Sequence, residues 1–351
     1  MQGDAWQVHG GGFYHMVKYL VAPARMPDEL TWFKWEAYTT WLSGFALLVI
    51  VYYLGAELYL IDKSVLDLTR ADGGGRRASE ACCWPGCSTR RCAALRSAGT
   101  RLRWRSWATS FWSALTYAFT HVFSGRGAFT QIGALIGTIM VANVFVIVIP
   151  NQKKTVAALL AGKAPDPRWG EEAKQRSVHN NYLTLPVVFL MIANHYPLMF
   201  ATRFNWLIVA IVLAIGPVIR HFFNSRHEGK GSPWWTWGVA AAGMIAVAWL
   251  SGAGPARRQP RACEKVDVKA AENTVLSRCS MCHRDEPLWP GVHAPPKGVV
   301  LDDPESIRRH ARLIEINAVR SHAMPPGNIT EMTREERQIL AAWIAAGAPA
   351  R

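Results

Sequence analysis

Asn205-Trp206-Leu207-Ile208-Val209-Ala210-Ile211-Val212-Leu213-Ala214-Ile215-Gly216-Pro217-Val218-Ile219-Arg220-His221-Phe222-Phe223 is an apolar run whose one full charge is held to its end. About 20 such residues cross bilayer hydrocarbon as a helix, the one isolated segment that satisfies its own backbone hydrogen bonds there. Comparable runs lie at Thr39–Ile61, Gln131–Ile149, Leu183–Phe200 and Trp235–Gly252, with a weaker one at Ala108–Phe123. The composition agrees: 50% hydrophobic, 18% charged and 16 Trp is too apolar for an ordinary soluble domain. The expected fold is therefore all-α, a polytopic transmembrane helix bundle. The net charge of +14 does not signal nucleic acid, because no aromatic-basic recognition motif accompanies it. Lys and Arg gather in loops instead, as membrane topology requires. No cleavable signal peptide opens the chain, so the spans themselves are expected to target it.

Downstream of the last run stands Cys279-Ser280-Met281-Cys282-His283. Cys-x-x-Cys-His is the attachment signal for a c-type haem: two thiols form thioethers to the porphyrin and the adjacent imidazole reaches the iron. Zinc would need a second ligand pair at matching spacing, and His293 is isolated in a Pro-rich loop. Ala323-Met324-Pro325-Pro326-Gly327-Asn328 then offers Met324 on a stiff loop as the sixth ligand. Met332 is the competitor, but it lies beside the closing helix, where packing is its expected role. Thr333-Arg334-Glu335-Glu336 has capping-box spacing, and Leu340, Trp343 and Ile344 give the helix it opens an apolar face. Helix with motif, loop with Met and closing helix outline a small all-α, class I-like cytochrome c domain.

The chain so divides into a membrane domain over 1–254, a Pro/Arg linker over 255–266 and a soluble domain over 267–351. Bacterial haem c is attached outside the cytoplasmic membrane, which places the soluble domain in the periplasm and Trp235–Gly252 as an exiting span. Counting back puts 151–182 inside, and Lys153, Lys154, Lys163, Arg168, Lys174 and Arg176 agree. Arg257, Arg258 and Arg261 dissent on the outer side, and haem chemistry outranks that charge rule. Cys263, in the linker, reads as an unpaired thiol rather than a ligand.

One stretch does not fit. Between Arg70 and Trp107, Cys82, Cys83, Cys87 and Cys92 are interspersed with Arg90, Arg91, Arg96, Arg101, Arg103 and Arg105. There is no helical or strand period, no zinc spacing, and too many arginines to cross a membrane cheaply. The plain reading is an exposed basic loop. The preferred one is a shifted reading frame in a GC-rich gene over 71–106, which resequencing would test.

Ionisable and amide side chains near spans are functional candidates by default. His121 and Arg126 fall in the connection Thr120–Gly127, and Asn143 is mid-span. His179, Asn180 and Asn181 lead into a helix carrying Asn194-His195, and Arg220-His221 closes the next. Val8–His15 combines three glycines with two imidazoles. Two facing histidines such as His195 and His221 could hold a second, b-type haem, though no spacing requires one.

Several of these stretches resemble the bacterial membrane-bound urate hydroxylase (urate oxidase) family. They are His9-Gly10-Gly11-Gly12-Phe13-Tyr14-His15, Trp32-Phe33-Lys34-Trp35-Glu36-Ala37-Tyr38, Thr120-His121-Val122-Phe123-Ser124-Gly125-Arg126-Gly127, Gly137-Thr138-Ile139-Met140-Val141-Ala142-Asn143-Val144 and Ser177-Val178-His179-Asn180-Asn181-Tyr182. The resemblance covers nearly the whole chain except 71–106. It implies a multi-span urate-oxidising domain fused to a cytochrome c, converting urate to 5-hydroxyisourate and passing electrons through haem c to a respiratory acceptor such as a soluble cytochrome c or terminal oxidase. Family members usually carry a further helix ahead of the His-Gly-Gly-Gly run, and a span where this chain has its Arg/Cys stretch. The first span therefore starts from inside if the family arrangement persists, and from outside if 71–106 is a loop.

A site for the flat urate monoanion wants a cation, amide or imidazole donors and a base for water. Arg126 fills the first role, and Asn143, Asn180, Asn181, His179 and His195 the second. His121 is the base. The rival readings are a membrane-anchored cytochrome that relays electrons without catalysis, and a damaged pseudo-enzyme.

Overall fold

A computed structural model describes residues 3–9, 11–19, 26–30, 32, 34–63, 65–66, 111–252 and 267–350. The Arg/Cys stretch and Cys263, with the readings placed on them, lie outside these residues.

Helices dominate, with one correction to the all-α expectation. Gly3–His9 (β1) and Gly12–Lys18 (β2) pair antiparallel, His9 opposite Gly12 and Gly3 opposite Lys18. Trp6, Val8, Phe13, Tyr14 and Val17 favour the extended chain, and Gly11 at φ 81° makes the turn. The hairpin is held further by His15, whose ring stacks on Trp6 at 4.2 Å and pairs with Asp4 at 3.0 Å.

The helices of the apolar region are α1 (Lys34–Leu54), α2 (Ala56–Tyr59), α3 (111–122), α4 (Gly125–Leu160), α5 (Pro167–Ala193), α6 (Pro197–Phe200), α7 (Asn205–His227) and α8 (Trp235–Ser251). Of these, α1, α4 and α7 are long and apolar enough to cross a membrane, and α8 is a shorter apolar helix. The expected span Leu183–Phe200 is not one helix. It is interrupted between Ala193 and Pro197, because a proline disfavours helical geometry in the residue before it; Tyr196 sits at φ −122°, ψ 87°.

Two compact units make up the chain. The first joins Met1–Trp41 to Met140–Asn180: the hairpin, the start of α1, the end of α4 and the start of α5. Inside it Tyr38 packs on Phe145 with ring centroids 4.6 Å apart, and the Asn151 amide donates to Glu172 at 3.0 Å.

The second unit joins Leu42–Ile139 to Asn181–Arg351. Small residues let its helices approach closely. A Cβ on Gly216 would lie 2.4 Å from Pro186 Cδ, and one on Gly243 would lie 2.4 Å from Ile215 Cδ1. At one end of this bundle the backbone N–H of Ser124 donates to Leu60 O at 2.8 Å, and its hydroxyl donates to Tyr59 O at 2.7 Å. The paths α1–α2 and α3 therefore finish side by side. Thr202 donates to Leu250 O at 2.9 Å, bringing the close of α8 to the same end.

Residues 267–350 of this unit form a helical module: α9 (Val268–Arg278), α10 (Pro304–Arg309), α11 (Ala311–Ile314, continuing as a wider turn over Glu315–Arg320) and α12 (Arg334–Ala345). Each longer helix starts on a side-chain cap. Asp267 accepts from Ala270 N, Asp303 from Glu305 N and Ser306 N, and Thr333 with Glu336 closes a full capping box. Ala271, Val275, Ile307, Ile314, Leu340 and Trp343 form the core, with Met332 buried among them. Burial of each large member contributes roughly 1.5–3 kcal/mol. Arg278 Nε donates to Glu336 at 3.0 Å and ties α9 to α12.

Candidate functional site

The Cys-x-x-Cys-His motif caps α9. Cys279 is the C-terminal cap residue, and the backbone N–H groups of Cys282 and His283 turn back to its carbonyl at 3.2 and 3.0 Å. Cys279 packs against the module core. Burial pushes its thiol up to about 12 and raises that of Cys282 as well. A redox Cys-x-x-Cys pair needs a depressed thiol pKa, so this environment disfavours that chemistry. Among the described residues no cluster of three or more His, Cys, Asp or Glu could hold a metal ion by itself. His283 Nδ1 lies 2.9 Å from Val299 O, which makes Nδ1 the protonated nitrogen and leaves Nε2 as a lone-pair donor. Unbridged thiols and an oriented imidazole fit haem c attachment.

Met324 lies in a loop held by backbone and side-chain hydrogen bonds. Its N–H donates to Asn317 O at 2.8 Å, and its carbonyl accepts from Arg337 Nη1 at 2.9 Å. Arg337 is buried and also donates to Ala318 O and to Asn328 Oδ1, clamping both arms of the Met loop. Burial draws this guanidinium down to about 10, so it remains charged at neutral pH. His322 is pulled down to about 4 by burial, with Arg337 and Arg334 adding to the effect, and is neutral there.

In the bundle the structure brings Arg126 together with residues that sequence reading did not select. Its guanidinium carbon lies 5.9 Å from the centroid of Tyr59 and 5.4 Å from that of Phe200. No carboxylate pairs with it among the described residues. One turn along α4, Thr130 lies on the same face by i, i+4 spacing. The Asn194 amide donates to the Thr130 hydroxyl at 3.0 Å, and that hydroxyl donates to Tyr52 at 2.8 Å. Tyr52 and Tyr59 stand 6.1 Å apart by centroid, and Tyr53 donates to the buried Gln131 at 3.2 Å. A cation between ring faces beside a polar relay can bind a flat anion.

The remaining candidates occupy other places. His121 Nδ1 is 2.7 Å from Tyr117 O in its own helix, its ring packed on Tyr117 at 4.0 Å, so Nε2 is the basic nitrogen. His195 is exposed just past α5, adjacent in sequence to Asn194. Asn181 accepts from Arg220 Nε at 2.8 Å. In the first unit Asn143 donates to Asn180 Oδ1 at 2.9 Å and Asn180 donates to Met140 O at 2.8 Å. The Asn143 Oδ1 atom is buried without a hydrogen-bond partner among the described residues. His179 is exposed on α5, one residue before Asn180. A haem between His195 and His221 does not fit. His195 lies in the connection that leads into α7, whereas His221 lies about 24 Å along that helix from Asn205, against Trp235 at the other end.

Comparison with known proteins decides the assignment: the family model described as urate oxidase N-terminal matches residues 1–251. The chain belongs to this urate oxidase family. No curated protein and no solved structure matches it. The urate oxidase N-terminal match contains both units' helices from the hairpin to α8, and so contains Arg126 and its surroundings. The 267–350 module lies beyond it. Within the matched region, Tyr52, Tyr59, Thr130 and Phe200 escaped sequence reading because each is an ordinary residue of an apolar helix. The signal available was the i, i+4 step from Arg126 to Thr130.

Proposed function

We propose that this chain is a membrane-bound urate hydroxylase that sends the electrons of urate through a haem c carried on its own 267–350 module. The observation that carries the reading is Arg126, which has no carboxylate partner among the described residues and is held between Tyr59 and Phe200 at the end of the bundle where that module sits. Urate is a planar monoanion at neutral pH, and this cradle offers a charge with two aromatic faces. The reaction is urate plus water giving 5-hydroxyisourate, two electrons and two protons.

Arg126 binds and orients the anion, and its fixed charge stabilises negative charge that develops as water adds. His121, with Nδ1–H spent on Tyr117 O, presents Nε2 as the base that takes a proton from water. The Asn194–Thr130–Tyr52 chain leaves the Tyr52 phenol to donate toward substrate oxygen or nitrogen. His195, beside Asn194, is the second imidazole of this end. Haem c, when bound, supplies one-electron acceptance at a potential raised by Met/His ligation. Cys279 and Cys282 would attach it through thioethers, and His283 and Met324 would ligate its iron. The acceptor beyond the module would be a respiratory cytochrome or oxidase outside the cytoplasmic membrane.

The test is haem reduction by urate in isolated membranes. Reduction of the haem band on addition of urate is the expected result. A band that dithionite reduces and urate does not would overturn the reading and leave a non-catalytic cytochrome or a pseudo-enzyme.

A further inference from the structure

The C-terminal module does not merely hang from α8. Its turn Pro326–Asn328, two residues beyond Met324, is seated on the polypeptide that follows α1. The seat is a pair of backbone carbonyls. A Cβ on Gly327 would lie 2.5 Å from Ile61 O and 2.7 Å from Glu57 O, and Gly327 has φ +56°. Both facts demand glycine: a side chain would strike backbone, and the left-handed conformation strains other residues. Around this contact Lys63 Nζ meets Glu331 Oε1 at 3.1 Å, and the charge of Asp62 acts on Arg337. The turn of α6 packs against 315–320 of the module.

The other side of the same segment faces the Arg126 site. Tyr59 O and Leu60 O accept from Ser124, and the Tyr59 ring covers Arg126. Residues 57–63 thus touch the proposed urate site on one side and the Met324 loop on the other.

On the reading given under Proposed function, we propose that the seating of Gly327 on Glu57 and Ile61 is the contact through which electrons pass from the Arg126 site to the C-terminal module. Gly327 and the Lys63–Glu331 pair act as positioning residues for that transfer. The haem the module would hold takes one electron at a time, so the first of the two electrons lost by urate would pass on to the external respiratory acceptor before the second crosses. The two protons go to the base and then to water.

The experiment uses the full chain in membranes. A zero-length carbodiimide should join Lys63 to Glu331, identified by mass spectrometry, and the cross-linked chain should still be reduced by urate. Gly327→Ala should retain covalent haem, an unchanged midpoint potential and unchanged urate affinity, while urate-driven haem reduction slows by roughly tenfold or more, as expected when reacting groups shift by about an ångström. Should Gly327→Ala also lower the potential, the charge-reversal set decides. Lys63→Glu and Glu331→Lys should each slow reduction severalfold, and the double variant should restore it. Absence of the Lys63–Glu331 cross-link, a wild-type reduction rate in Gly327→Ala, or single reversals without effect would each overturn the proposal. A wild-type chain that urate cannot reduce removes the underlying reading as well; a reducible wild type with unaffected variants removes the contact alone.

Discussion

Replacing Arg126 with glutamine tests the proposed urate site most directly. Arg126 makes no carboxylate ion pair among the described residues, so the substitution leaves no orphaned acid behind. It should therefore act on anion binding more than on folding. A hydrogen bond to a charged partner contributes about 1.5–3 kcal/mol, which corresponds to a roughly 10- to 150-fold weaker affinity for urate. Loss of the cation over two rings removes a further fraction of order 0.5–1 kcal/mol each from the cradle itself. The assay is the urate concentration that half-saturates haem reduction in membranes, with dithionite reduction as the measure of loaded protein. Arg126→Lys should fall between the two, because an ammonium keeps the charge and loses the planar fork. A half-saturating concentration for Arg126→Gln within twofold of wild type, on protein with a normal haem band, would refute the assignment.

Further outcomes follow from the module and the bundle. Cys279→Ser with Cys282→Ser should abolish haem staining on denaturing gels, and failure to do so would contradict the attachment reading. Met324→Ala should lower the haem midpoint potential, whereas Met332→Ala should leave it in place and destabilise the module by about 2–5 kcal/mol, read as a drop in unfolding temperature. Thr333→Ala removes the capping box of α12 and should destabilise the same transition by about 0.5–2 kcal/mol. Gly216→Val places atoms where Pro186 already sits, so it should sharply reduce folded protein in membranes, while the open position Gly137→Ala should not.

Local features were readable in the chain and long-range ones were not. The apolar runs mark α1, α4, α7 and α8, and the capping box of α12 stands in Thr333–Glu336 as text. Both depend on neighbours within a turn or on composition. The Arg126 surroundings join Tyr52, Thr130 and Asn194, separated by 78 and 64 residues. Nothing local encodes such pairings in apolar helices. The glycines near His9 look like freedom, yet flanking aromatic and β-branched residues turn them into a hairpin. The run Leu183–Phe200 has enough apolar residues for a span, but Pro197 acts on the conformation of Tyr196, which composition does not register. Gly327 shows the same limit: its need for glycine comes partly from carbonyls at residues 57 and 61.

Arg126 belongs to the first turn of α4, level with the close of α2 and α3, and that sets its depth. A guanidinium midway through hydrocarbon carries a penalty of at least about 2.5 kcal/mol, which falls away toward the headgroups. At a bundle end the charge needs no buried counter-ion, and on the proposed function a dissolved purine anion reaches it from the adjacent water without crossing the apolar slab. On the proposed topology that water is periplasmic. The cell could then oxidise the purine where it arrives, with no importer and no release of the hydroxylated product into the cytosol.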